Sequence, residues 1–355
     1  MVLAIPVGAS APEKPGSAAI PYCTLNVPYP QNFQAWRSTI EALFDATASP
    51  AAPFAASLTV YHFSRFLCCS GRLDAARYRR DRARLSWCDL DHYLLHLPLE
   101  RGLAASDGLR VRPADIVVLD LSRPAHFRLA ASQSISLLIP RTALAPLLAD
   151  VGQLHGLVVR KDSAAGGLLG QLLRSLSAAA PRLALEQALG LAVPVLGLVA
   201  ACLAQSNVRR TPVARPQPCS LARRVRLYIE QNLHRVDLAP LLVAKELGVS
   251  RSQLYRALEK VGGLCRYLRQ RRLRRSLFAL CHAGNGGRRI VDLACEHGFA
   301  DEAHFSRLFR QAFGLSPRAA RMALQRGDPS ALAGLLPQGE ATPTFSRWLR
   351  ELTYG

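Results

Sequence analysis

The side chains best placed to do chemistry in this 355-residue chain are two arginines, Arg256 and Arg307, because they occupy the same place in two copies of one short segment. Leu242–Leu258 (LVAKELGVSRSQLYRAL) aligns with Asp292–Phe309 (DLACEHGFADEAHFSRLF). Ala244 and Gly248 match Ala294 and Gly298 at an offset of 50; past the turn one extra residue makes it 51, and Ser250, Leu254, Arg256, Leu258 and Gly263 match Asp301, Phe305, Arg307, Phe309 and Gly314. A guanidinium presents a planar fork of donors that fits a phosphate or, bidentately, the O6 and N7 edge of guanine. Two such forks on a repeated scaffold point to a repetitive polyanion.

The matched positions define the elements that must carry those forks. Ala244 and Ala294 are small enough for a second helix to cross closely over the first. Gly248 and Gly298 end the first helix where a left-handed residue is needed. Ser250 and Asp301 are N-caps for the helix that follows. Leu254/Leu258 and Phe305/Phe309 are i, i+4 pairs turned toward a core, and Gly263 and Gly314 stop the second helix. Two helices joined by so short a turn form a helix-turn-helix, whose second helix fits a DNA major groove. Generic helical hairpins share the Gly turn, but two copies with the same punctuation argue against them.

Between the copies, Leu264–His282 reads as one helix. Tyr267, Leu268, Leu273, Leu277 and Leu280 are expected to form an apolar stripe, with Arg266, Arg269, Arg271, Arg272, Arg274 and Arg275 covering the rest. Its 19 residues span roughly 28 Å at 1.5 Å each, comparable with the roughly 34 Å between successive major-groove faces. The arginines serve there either as phosphate ligands or as solvated charge. Over Leu221–Leu324 there are 20 basic and 8 acidic residues, +12 of the chain's net +20. The charge is therefore concentrated where the repeat lies, and the expected partner is double-stranded DNA.

The remainder is organised differently. Residues 1–35 read as a loose leader without the basic start of a signal peptide. From Leu58 to about Val159 short strand patterns follow one another: Asp91–Pro98, with Tyr93, Leu95 and Leu97 on one face and His92, Leu94 and His96 on the other; Arg112–Pro124; and Ser134–Ile139. They suggest a sandwich or small barrel. From Gly166 to Gln205 the pattern is helical, with Leu168, Leu169, Leu172, Leu173 and Leu176 at helical spacing. Within it Ala188–Ala204 is apolar throughout but short for a membrane span and interrupted by Pro194, so a buried interface helix is expected and no membrane partner. Residues 206–220, with three prolines and three arginines, form a linker. The tail beyond Leu324 holds one short amphipathic candidate, Thr344–Leu352, with no evident chemistry.

Nine cysteines without a C-x-x-C pair exclude a secreted disulfide framework and fit a cytoplasmic protein. His92 and His96 share a strand face, yet a zinc or iron site needs three or four ligands and no such set assembles, so neither a metal cofactor nor an enzyme is expected. Trp87, Tyr93, His96 and Phe127 are candidates to line a pocket or to fill the core.

These residues together resemble the AraC/XylS (arabinose-operon regulator) family. The resemblance is carried by Ser250–Arg256, Tyr267–Arg269 with Arg272-Leu273, Ile290–Phe299, Phe305–Arg310 and Phe313–Arg318. It implies an α+β chain: an N-terminal β-barrel, cupin-like sensing domain with a helical dimerisation segment over residues 36–205, and a C-terminal all-α domain of seven helices with two helix-turn-helix motifs over 221–324. It implies a regulator, expected to be an activator, that reads two adjacent major-groove segments per monomer, acts on RNA polymerase, forms a homodimer and answers to a small-molecule effector. Family resemblance places base contacts at Ser252, Tyr255 and Arg256. The outward faces of the two reading helices give the DNA-binding set Arg251, Ser252, Tyr255, Arg256, Glu302, Ala303, Ser306, Arg307 and Arg310. The chain departs from the family pattern at Ala114, where a turn glycine is usual, at Leu258, where an aromatic is usual, and in its longer tail.

Overall fold

A computed structural model describes residues 20, 22–27, 33–48, 54–81, 84–85, 90–148, 154–207, 221–259, 263–281, 288–326, 345, 348–349 and 352. Two antiparallel sheets face each other in the N-terminal half. The larger joins β1 (Tyr22–Val27), β3 (Ala56–His62), β4 (Leu67–Leu73), β6 (His92–Pro98), β9 (Ile116–Asp120), β11 (Ser132–Pro140) and β12 (Leu157–Val159) in the order β1-β3-β4-β11-β6-β9-β12. The smaller joins β2 (Asp45–Thr47), β5 (Ala76–Arg80), β7 (Leu103–Ala105), β8 (Arg110–Val111) and β10 (Ala125–Leu129) in the order β2-β5-β10-β7-β8. The leader expectation is corrected here: β1 pairs along β3 from Tyr22↔Tyr61 to Val27↔Ala56, and Ile20 is buried, because Tyr22 and Ile20 complete the apolar cover of the large sheet.

The alternation in β6 partitions two cores. Tyr93, Leu95 and Leu97 face outward and meet Leu169, Leu173 and Leu176 of α3 (Ala164–Ala179) and Val195, Leu196, Val199 and Leu203 of α4 (Leu185–Asn207). Leu94 faces inward, between the sheets, with Tyr78, Leu103, Leu119, Leu129 and Leu138, and with Trp36 and Ile40 from α1 (Phe33–Ile40). Tyr93 therefore packs under the helices rather than lining the interior; Trp87 lies outside the described residues. Of the leucines at helical spacing in α3, Leu169, Leu173 and Leu176 are buried, while Leu168 points outward.

The α4 helix is by length and composition apolar enough to cross a membrane, but half of it is buried within this fold. Its inward face covers the sheet, and Leu185 and Leu189 at its start touch the C-terminal domain. Asp91 and Asp120 hold Arg141 of the four-residue α2 (Arg141–Leu144), whose guanidinium lies 4.3 Å from the Tyr93 ring centre. Ala114 sits in the left-handed region at φ 66°, where an L side chain costs about 1–2 kcal/mol. That is the position at which the family pattern has glycine.

The C-terminal domain has seven helices among the described residues: α5 (Leu221–Gln231), α6 (Pro240–Glu246), α7 (Arg251–Leu258), α8 (Leu264–Cys281), α9 (Ile290–Glu296), α10 (Glu302–Phe313) and α11 (Pro317–Arg326). The expected single stripe on α8 is corrected to two. Leu264, Tyr267 and Leu268 join the first helix-turn-helix core with Val225, Ile229, Val243, Leu254 and Leu258. Leu273, Leu277 and Leu280 join the second, with Leu293, Phe305 and Phe309. Leu264 and Leu273 are nine residues apart, two and a half turns, so they face opposite sides of the rod. One helix thus walls two cores, and neither domain half can shift without the other.

Candidate nucleic-acid interface

Each copy of the repeat is punctuated as its sequence requires. Gly248 and Gly298 have φ 64° and 77°, and Gly263 and Gly314 have φ 85° and 78°. At Gly298 a second constraint applies: a Cβ would lie 2.6 Å from the Leu233 carbonyl oxygen and 2.8 Å from the Arg272 guanidinium, so only glycine lets α9 approach the end of α5. Gly248 has open space around it and is held to glycine by backbone conformation alone.

The reading helices are capped from their first residues. The Ser250 hydroxyl accepts from the Gln253 amide at 3.2 Å, and the Gln253 side-chain oxygen accepts from the Ser250 amide at 2.9 Å, a reciprocal capping box. The Asp301 carboxylate accepts from the amides of His304 at 2.8 Å and Ala303 at 3.1 Å, and these bonds hold it below the usual carboxylate range. They also occupy the amides that a phosphate would otherwise use, so α10 starts on its own cap. At α11 the Ser316 hydroxyl accepts from the Ala319 amide at 3.2 Å.

With Leu254 and Leu258 buried, Arg251, Ser252, Tyr255 and Arg256 are exposed along α7. With Phe305 and Phe309 buried, Ala303, Arg307 and Arg310 are exposed along α10, and Glu302 and Ser306 are half-buried at its flank. Tyr255 is 45% exposed, a large aromatic surface for a side chain with no core role. Among the described residues no hydrogen bond or ion pair engages the guanidinium of Arg256 or Arg307. Both forks lie exposed on the faces opposite the cores.

The arginines of α8 divide into two kinds, which corrects the expectation that all six cover its surface. Arg266 and Arg269 are exposed. Arg271 is 4% exposed and donates to Glu230 Oε1 at 2.7 Å and Oε2 at 3.2 Å. Arg275 donates to Oε2 at 3.2 Å, and the Tyr267 hydroxyl to Oε1 at 3.2 Å. Burial pushes the Glu230 carboxyl up, and Arg271 and Arg275 pull it back. Arg272 turns to the Leu233 and Arg235 carbonyls. These contacts fix α5 to α8 and were not foreseen; the legible sign is Glu230 one position past Ile229 on the apolar face of α5.

In the barrel a cavity of about 80 Å³ is lined by Trp36, Phe44, Tyr78, Phe127, His96 and Ser136 among others. His96 Nδ1 is 2.9 Å from Ser136 Oγ, and burial lowers its pKa to about 4, so the ring is neutral. Burial likewise takes His92 to about 3. Among the described residues no group of three or more His, Cys, Asp or Glu is arranged to hold a metal.

Comparison with known proteins agrees with this geometry. Residues 33–204 match an AraC-binding-like domain and residues 243–323 a helix-turn-helix domain. The transcriptional activator NphR of Rhodococcus sp is 27% identical over 293 residues, covering 79% of this chain and 86% of that protein. The HTH-type transcriptional activator RhaS of Escherichia coli (strain SE11) is 38% identical over 81 residues, 28% of its length. The crystal structure of the AraC-like transcriptional activator CuxR superposes with a TM-score of 0.57 at 26% identity, covering 71% of this chain and 94% of that one. A barrel matched by an AraC-type domain, joined to a doubled helix-turn-helix with two exposed arginine forks, makes this chain a member of the AraC/XylS family of DNA-binding transcription regulators.

Proposed function

We propose that the chain is a sequence-specific transcriptional activator that reads two adjacent major-groove segments with α7 and α10 and is controlled through its barrel. The carrying observation is the pair of capped helices whose outward faces bear Arg256 and Arg307 at matched positions. In this reading Arg251, Ser252, Tyr255 and Arg256 serve the first segment, and Glu302, Ala303, Ser306, Arg307 and Arg310 the second. The reading domain over residues 221–324 follows the expected linker, whose first two residues, Ser206 and Asn207, instead continue α4, while 208–220 lie outside the described residues. RNA polymerase is the downstream partner, and the protein acts in the cytoplasm.

Two further parts of the reading have structural support. On α4 Leu191 and Leu198, seven residues apart and so on one face, are exposed, and Leu168 is exposed on neighbouring α3, apolar surface suited to a homodimer contact. The barrel cavity, lined by aromatic and aliphatic side chains with His96, Ser134 and Ser136 as polar points, suits a small effector.

Selection of bound duplexes from a random pool tests the function. The expected result is a motif with two blocks of preferred bases and binding at least about 10³-fold tighter than to random DNA at physiological salt. Recovery of duplexes without any common sequence would leave a non-specific, architectural binder.

A further inference from the structure

The outer face of the smaller sheet carries a charge pattern that the fold does not call for. Along β5 and β10 alternate side chains turn inward, with Tyr78 and Leu129 in the core between the sheets. The others, Arg77, Arg79, His126 and Arg128, are exposed. The pairing register sets them side by side: Arg77 lies opposite Arg128, and Arg79 opposite His126. The first of these rows runs on through Ala104 to Arg110, which is also exposed. Adjacent strands are about 4.8 Å apart, so two guanidiniums rise from neighbouring points of one row.

Like charges directly opposite each other weaken an antiparallel pair. Arg79 is compensated, with Asp45 at 3.5 Å and Asp81 at 3.6 Å, and Asp45 also holds Arg37 at 2.9 Å. Arg77 and Arg128 are not: among the described residues no hydrogen bond or ion pair engages either. Opposite charges at the two positions would hydrate the face as well and would strengthen the sheet. Shape narrows the choice of anion. Arg77, Arg79 and Arg128 line, with Asp45, Thr47 and Ser106, a concavity of about 530 Å³, within the range for metabolite-sized sites. Three arginines against one aspartate leave two positive charges in excess there. A duplex suits the face less well. The reading domain touches α4, and α4 covers the outer side of the larger sheet, so the smaller sheet's outer face looks away from that layer.

We propose that this concavity is a binding site for a small polyanion, a molecule with at least two phosphoryl or carboxyl groups, held by Arg77 and Arg128 together. A guanidinium presents a planar fork that matches either group, and two forks from adjacent strands take two such groups or two edges of one. The bound anion turns the repulsion within the pair into a bridge across β5 and β10, and so stabilises the barrel. The site lies on the outside of the sheet and does not depend on the cavity between the sheets being an effector site.

Isothermal titration of the full-length protein at physiological salt tests it, with pyrophosphate and citrate as probes; whichever binds more tightly tells phosphoryl from carboxyl recognition. Arg77→Gln/Arg128→Gln should weaken that binding at least about tenfold, the loss of one charge-assisted contact or more. Arg256→Ala/Arg307→Ala, which removes two arginines from the DNA-reading surface, should bind the anion as wild type does. Without anion, Arg77→Gln/Arg128→Gln should melt about 1–3 °C above wild type, since the like-charge pair is gone. The anion should raise the wild-type midpoint more than that of this variant. Binding of neither probe to wild type overturns the site. Equal losses in the two double variants would mark diffuse attraction to a basic chain and overturn it as well. Unaltered anion binding by Arg77→Gln/Arg128→Gln also overturns it, and weaker binding of that variant to the selected duplex would then assign the face to DNA. Melting of the same variant below wild type would show that the arginines hold the sheet together, against the proposal.

Discussion

Arg307→Ala is expected to lower affinity for the selected DNA site by about 5- to 150-fold and to flatten base preference at one position of one block, the range for loss of a bidentate contact to guanine of about 1–3 kcal/mol. Arg256→Ala should do the same at a position in the other block. The physical basis is the placement of both guanidiniums on the faces opposite buried Leu254/Leu258 and Phe305/Phe309, with no ion pair within 4 Å among the described residues to break first. Neither residue supports the fold, so both variants should unfold as wild type does. The measurement is a titration against the selected site and its single-base substitutions at several salt concentrations. A phosphate contact would look different: weaker binding to every sequence alike, and a salt dependence reduced by about one counterion.

Glu230→Ala is expected to destabilise the C-terminal domain by about 3–5 kcal/mol, because it leaves Arg271 buried without its counter-charge. Arg275, half-exposed, can turn to water and contributes less to the loss. Glu230→Gln keeps an acceptor at the Oε1 position for Arg271 and Tyr267 and should fall between wild type and Glu230→Ala. Urea unfolding followed by far-ultraviolet circular dichroism gives the comparison, through a shift in midpoint at constant slope. Because Glu230 joins α5 to α8, and α8 walls both cores, DNA affinity should fall in parallel at temperatures where the variant is partly unfolded. A Glu230→Ala protein as stable as wild type would mean that the cluster is not buried as described.

The sequence carried more of the reading domain than of the barrel. The repeat worked because each of its positions answers to a local rule. A cap needs an oxygen at Ser250 or Asp301, a left-handed turn needs Gly248 or Gly298, and a core face needs two apolar residues four apart. The strand alternation at Tyr93–Leu97 likewise separated the outer core from the inner one. What could not be read depends on distant partners. Arg271 is indistinguishable in the sequence from exposed Arg269 until Glu230, 41 positions earlier, is seen beside it. Tyr22–Val27 looks unremarkable alone and becomes a strand only because β3 offers an edge. Phe345, Trp348, Leu349 and Leu352 showed a helical stripe, but nothing local says that the face they need is on the barrel. Trp87 lies outside the described residues, so its part in the pocket stays with the sequence reading, while His96 and Phe127 do line the cavity.

The central claim is that α7 and α10, joined by one rigid α8 of 18 residues, engage two neighbouring turns of one duplex together. Changing the spacing between the two blocks of the selected site tests it most directly. Five inserted base pairs rotate the second block by about half a helical turn, out of reach of a rod that cannot twist. Affinity should then drop about 100-fold or more, to that of a site with one block scrambled, with Arg307→Ala and Arg256→Ala no longer additive on the altered site. Unchanged affinity after the insertion would show that the two helices do not bind one duplex as a fixed pair.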